Sequence, residues 1–194
     1  MLGAILKFLY FDIGFKLRYL FWKIIILSSG GKIGKSVKLY EGVRIVCGHR
    51  GAISIGNNVR ILRNVTISTS EKGRILIGDN VHIGEGTIIY SDLEIIIKDN
   101  VIIGPQNIIV DFDHIYNDKN TFISQQGHNA KKVLIEDDVW VSSHCCIVKG
   151  VSIKRGSIIG AGSVVNKDIP PYSVACGVPV KIIKKRGEVN RQDV

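Results

Sequence analysis

Large aliphatic residues recur every six positions through most of this chain. They fall in triplets: Ile33, Leu39, Ile45; Ile55, Ile61, Ile67; Ile77, Ile83, Ile89; Ile97, Ile103, Ile109; Ile135, Val141, Ile147; and Ile153, Ile159, Val165. Four residues after many of them stands a smaller one, as at Val37, Val59, Val81, Thr87, Val139, Cys145 and Ser163, and glycine directly follows at Gly34, Gly56, Gly78, Gly84, Gly104 and Gly160. An amphipathic helix needs spacings of three and four, and a half-buried strand needs strict alternation. Neither gives a six-residue unit with a turn glycine in it. A short strand, a turn and another short strand does, if three units close one triangular coil and coils stack in parallel. Each coil then pairs its backbone with the next, and the aliphatics fill the prism. The pattern predicts an all-β parallel solenoid of about six coils.

Departures from the period mark insertions. Ile45 to Ile55 and Ile67 to Ile77 are ten apart and Ile89 to Ile97 is eight, which predicts small corner loops such as "CGHRGA" and "TSEKGR". Ile109 to Ile135 is 26, so twenty residues leave the prism within "DFDHIYNDKNTFISQQGHNAKK", residues 111–132. A loop of that length in a regular scaffold is either functional or a tolerated surface insertion; its neighbourhood favours function.

Residues 1–29 lack the period and hold half of the aromatic residues. Lys7, Asp12, Lys16, Arg18 and Lys23 interrupt every apolar run, so none approaches the ~20 residues of a transmembrane helix. Charge spread through the apolar stretch also argues against a signal peptide. One or two helices remain, either capping the open end of the prism or lying in a membrane interface. The expected organisation is an apolar helical segment over 1–29, a solenoid over 30–186 carrying the 111–132 loop, and a tail over 187–194.

Charge narrows the partners. Twenty-six Lys and Arg against 17 Asp and Glu leave +9, which favours an anionic partner. No basic stretch interleaved with aromatics and no helix-turn-helix or zinc-finger spacing appears, so nucleic acid ranks last. Cys47, Cys145, Cys146 and Cys176 show no C-x-x-C spacing, and a reducing cytoplasm fits them.

The repeat, Asp113-His114 entering the loop, and "GAGSVV", "KDIPP" and "GVPVK" after it resemble the hexapeptide-repeat acyltransferases, within them the galactoside, maltose and capsule or O-antigen O-acetyltransferases. The resemblance covers about residues 30 to 186 and implies that the solenoid is a left-handed β-helix. It further implies a homotrimer that moves acetyl from acetyl-CoA to a saccharide hydroxyl in surface-polysaccharide biosynthesis, without metal. His114 matches the family's general base; an imidazole titrates near working pH and a hydroxyl needs its proton removed. Asp113 or Asp111 is expected to orient that ring, and Asp111, Tyr116 and His128 to meet the acceptor. Trp140 precedes a core position and must point outward, where the resemblance places the acyl donor. Ser143 matches a position beside the thioester, where a backbone N–H would hold the oxyanion. Gly160, Ala161 and Gly162 match the pantetheine track, and Asn166, Lys167 and Lys181 the nucleotide end. Two departures concern the acceptor: Ile115 stands where proline often follows the histidine, and "GEG" at 84–86 replaces a substrate-binding asparagine. No two histidines stand close together along the sequence to seed a zinc site. N-acetylation of an amino sugar, O-acetylation of serine or an antibiotic, and a non-catalytic trimeric scaffold are the rival readings. A cytoplasmic location, peripheral at the inner membrane through residues 1–29, completes the expectation.

Overall fold

In a computed structural model, which describes residues 14–50 and 52–188, the six-residue units become strands two to four residues long. Those with small corner turns wind through three parallel sheets. Face A holds β1 (Lys32–Ile33), β4 (Ile53–Ile55), β7 (Ile75–Ile77), β10 (Ile95–Ile97), β15 (Val133–Ile135) and β18 (Ser152–Ile153). Face B holds β2 (Lys38–Leu39), β5 (Arg60–Ile61), β8 (His82–Ile83), β11 (Ile102–Ile103), β16 (Trp140–Val141) and β19 (Ile158–Ile159), closed by β21 (Ser173–Cys176) and the antiparallel β22 (Lys181–Lys185). Face C holds β3 (Arg44–Val46), β6 (Thr66–Thr69), β9 (Ile88–Ser91), β12 (Ile108–Val110), β17 (Cys146–Ile147) and β20 (Val164–Val165). This is the left-handed β-helix of about six coils.

Every periodic aliphatic from Leu39 to Val165 is buried, and Ile33 is half-buried against the same core. The turn chemistry differs from expectation. The residues in the left-handed region between faces A and B stand two places after the predicted turn glycines at Ser36, Asn58 and Asn80, and Asn100 and Asp138 take the same place where Lys98 and Glu136 precede them. Asparagine and aspartate tolerate that conformation. The glycines serve close stacking instead: a Cβ on Gly34 would stand 2.5 Å from the Gly56 carbonyl oxygen of the next coil. Along the same edge side chains cap backbone N–H groups coil by coil, Asn57 for Lys35, Asp79 for Asn57 and Asp99 for Asp79. Hydrogen bonds from the Asn57 backbone and side chain hold the Asp79 carboxyl below its ordinary range.

Helix α1 (Gly14–Ser28) lies across the first coil. Ile26 is fully buried, Tyr19 and Trp22 pack on the core, the Tyr19 hydroxyl donates to the Gly34 carbonyl at 3.0 Å and Arg18 Nε to the Leu39 carbonyl at 2.8 Å. Among the described residues no helix is long and apolar enough to cross a membrane.

Candidate active site

The 111–132 segment is a β-hairpin raised on the edge between faces C and A. β13 (Phe112–His114) pairs antiparallel with β14 (His128–Ala130), opposing His114 to His128. Asp111 roots it. Its side chain is fully buried, and its carboxylate accepts from Ser91 Oγ at 2.7 Å, Asp92 N at 2.7 Å and Leu93 N at 3.0 Å. Its carbonyl accepts from Lys131 N, so one residue ties both ends of the excursion to the coil beneath. A buried carboxylate so saturated has nothing left for an acceptor or a neighbouring ring, which corrects the role expected of Asp111.

Strand alternation sends Asp113 to the opposite side from Phe112 and His114. Asp113 forms an ion pair with Lys149 of the following coil, on the opposite side from Asp92. It therefore does not orient His114, a second correction. On the other side four rings form a row. Tyr90 of β9 meets Phe112 edge-on at 5.0 Å, Phe112 stacks on His128 at 4.7 Å, and His128 meets His114 edge-on at 4.6 Å. His128 Nδ1 lies 3.2 Å from Asp92 Oδ2, and among the described residues no partner meets its Nε2. Asp92 and Lys149 were not foreseen. They sit on the same edge one coil away, 36 residues from their partners, and no local spacing connects them. The cleft beside this row holds about 420 Å³ and is lined by Ser70, Glu71, Lys72, Asp92, Gly127 and His128. Tyr116 is 68% exposed, and Phe122 and Ile123 at the hairpin's far end are exposed as well.

The expected donor-site residues gather mainly on the next edge, between faces B and C. Trp140 projects from face B, 47% exposed, over a small cleft shared with Ile102, Ile158 and Arg186. Ser143, then Gly160, Ala161 and Gly162 one coil on, form successive corners of that edge, with Lys181 beside Cys176 below them. A column of buried polar residues fixes these corners. Asn107 donates to the carbonyls of Gly104 and Ser142, both at 2.8 Å, and accepts from Cys145 N at 2.7 Å. Thr87 and Ser163 continue the column on either side. Among the described residues no acceptor faces the Ser143 or Ala161 backbone N–H. Gly160 is required by packing, since a Cβ would meet that of Cys176, whereas Gly162 takes φ +69° with open space around it. Small residues and free N–H groups on a fixed edge suit the amide-bearing arm of coenzyme A. Asn166 and Lys167 are exposed at the far end of the other edge, that between faces C and A. Burial raises the thiols of Cys145 and Cys146, which opposes a thiolate nucleophile at either. Among the described residues no group of three or more His, Cys, Asp or Glu could share a cation.

The two half-sites thus occupy different edges of one prism, and a single chain does not bring His114 and Ser143 together. Rows of exposed apolar residues, Ile102 and Trp140 on face B and Ile88 and Ile108 on face C, flank the edge between those faces.

No family model matches the chain. It is 37% identical over 117 residues to the galactoside O-acetyltransferase of Escherichia coli, spanning 54% of this chain and 49% of that protein. It is 36% identical over 104 residues to a probable acetyltransferase of Mycobacterium tuberculosis, spanning 54% of this chain and 35% of that one. The chain thus spans half or less of the lengths of these relatives. Among solved structures it resembles AntD, an N-acyltransferase from Bacillus cereus in complex with dTDP-4-amino-4,6-dideoxyglucose and coenzyme A, with TM-score 0.73, 26% identity and coverage of 86% and 90% of the two chains. It also resembles a hexapeptide-repeat acetyltransferase of Vibrio cholerae complexed with acetyl coenzyme A, with TM-score 0.61, 25% identity and coverage of 89% and 78%. The likeness to hexapeptide-repeat acyltransferases read from the sequence is borne out in both sequence and fold.

Proposed function

We propose that this chain is an acyl-CoA-dependent acyltransferase that acetylates a hydroxyl of a saccharide in surface-polysaccharide biosynthesis, in the cytoplasm, as a homotrimer. The observation that carries it is the division of the half-sites: the histidine hairpin on one edge and the free N–H groups of Ser143 and Ala161 on the next become one cleft when two copies pack side by side. His114 takes the proton as the acceptor oxygen attacks the thioester carbon, the Ser143 N–H donates to the carbonyl oxygen as it gains charge, and the carbon–sulfur bond breaks as the sulfur of coenzyme A takes that proton back from His114 and leaves as the thiol. Asp92 holds the His128 ring against His114 and sets the wall of the acceptor cleft. Positioning of both substrates supplies much of the remaining acceleration.

A second reading is N-acylation of an amino sugar, supported by the structural likeness to AntD and its bound amino-sugar nucleotide. A third, the non-catalytic scaffold, predicts no stabilisation by acetyl-CoA, whereas a ligand that binds only the folded state raises the melting temperature. Thiol release from acetyl-CoA, measured with saccharides and with amino-sugar nucleotides, decides among them. Release that depends on a hydroxyl acceptor and collapses in His114→Ala supports the proposal. Release only with amines replaces it by the second reading, and no release joined to no acetyl-CoA binding replaces it by the third.

A further inference from the structure

We infer that the helix-capped end of the prism docks on an anionic lipid bilayer. Leu17, Leu20, Phe21, Ile24 and Leu27 are 49% to 62% exposed. Their spacing puts them on one face of α1, turned away from the face that buries Ile26. The hydrogen bonds of Arg18 and Tyr19 to the first two corners fix the helix in this orientation, so it does not roll to cover the stripe. A groove of about 320 Å³ on the same end is lined by Phe15, Tyr19, Val37, Lys16 and Lys38 among others.

Charge at this end identifies the occupant. Residues 14–63 contain ten Lys and Arg and a single acid, Glu41, so this stretch carries the whole excess of +9 and the rest of the chain is neutral in sum. The first coil projects one exposed base from each face: Lys32 from A, Lys38 from B and Arg44 from C. Lys16, Lys35, Arg50 and Arg60 add to the ring. An apolar end surrounded by positive charge on all three faces matches a surface that offers hydrocarbon beneath phosphate. A second copy meeting this end would set two such rings against each other, and nucleic acid has no use for the aliphatic stripe. The hairpin leaves the fourth coil, so His114 stands roughly 15–20 Å from the docked end. On the acyltransferase reading, an acceptor saccharide carried on a lipid headgroup would reach it.

The test is flotation of the full chain with vesicles of phosphatidylcholine alone and of phosphatidylcholine with phosphatidylglycerol, at low and high salt. The wild type floats with the anionic vesicles only, and less as salt rises. Phe21→Glu with Ile24→Glu, both at exposed positions, lowers binding tenfold or more at an unchanged melting temperature, and Lys32→Glu with Lys38→Glu does the same. Absence of wild-type binding overturns the inference, as does undiminished binding of the Phe21, Ile24 variant. A wild type that fails to bind while the Phe21, Ile24 variant drops in molecular mass assigns the stripe to a second copy and overturns it too. His114→Ala, which tests the transferase reading, floats like the wild type, so the two failures are distinguishable.

Discussion

Two adjacent edges of the same prism solve opposite problems. Between faces B and C the chain never leaves the coil: buried Thr87, Asn107, Cys145 and Ser163 occupy its carbonyls, and the corners at Ser143 and Ala161 present backbone N–H groups that meet no acceptor among the described residues. Between faces C and A the chain departs for twenty residues and returns as a hairpin bearing side chains, with a buried carboxylate at its root. The first edge offers fixed dipoles, the second offers groups that move protons. A rigid solenoid supplies the one at no cost in regularity and must break its repeat to supply the other.

The sharpest way to break this comparison is at the hairpin. His114→Ala is expected to lower kcat by about 10²- to 10⁴-fold, with His128→Ala less affected; the reverse order would make the Asp92–His128 pair the base. Next is Ser143→Pro. Pro105 occupies the equivalent corner one coil earlier, so the backbone accepts the ring while the N–H is lost. A fall of about 10²- to 10³-fold in kcat at nearly unchanged melting temperature is expected, and unchanged kcat would remove that N–H from the site. Asn107→Ala leaves the Ser142 carbonyl and the Cys145 N–H buried without partners and removes one of the two donors to the Gly104 carbonyl. Its cost is about 2–3 kcal/mol, read as a lower urea midpoint. Lys149→Ala at the other edge removes only a partly exposed ion pair and is expected to cost less than about 1 kcal/mol, with activity retained since Asp113 faces away from His114.

The smallest effect concerns pH. Burial, with the Arg60 guanidinium as a second cause, holds the His82 imidazole below its ordinary value. The folded state therefore resists protonation, and His82 contributes stability that is complete above about pH 6.5 and lost as pH falls through the lowered folded value. Glu136, whose carboxyl is lowered chiefly by the Arg155 backbone N–H, loses its contribution only in more acidic solution. Melting temperatures across about pH 5 to 7 should thus slope downward towards acid, and His82→Gln should flatten the slope.

Much of the scaffold was legible along the chain. The six-residue period located the core, the corner insertions and the hairpin's place, and Trp140 points outward as its neighbour Val141 requires. The corner glycines were read for the wrong reason, because a requirement for close stacking and a requirement for positive φ leave the same residue in a sequence. Asp111 and Asp113 were read alike, as loop acids beside a histidine, although one is buried and the other faces away. Of the expected alternative, helix α1 shows the capping half: one face packs on the first coil, and the other is exposed.

The sequence by itself determined the coil, its core and the position of the excursion, because in a solenoid each unit's burial depends on its own period and on like neighbours. Only the tertiary structure decided which side chains meet at the edges. Partners there lie a whole coil apart, at separations that change with every corner insertion, 17 residues for Thr87 and Gly104 and 38 for Asn107 and Cys145, and the direction in which the hairpin folds selects His128 for His114 and Lys149 for Asp113. Such long-range meetings leave no period in a chain.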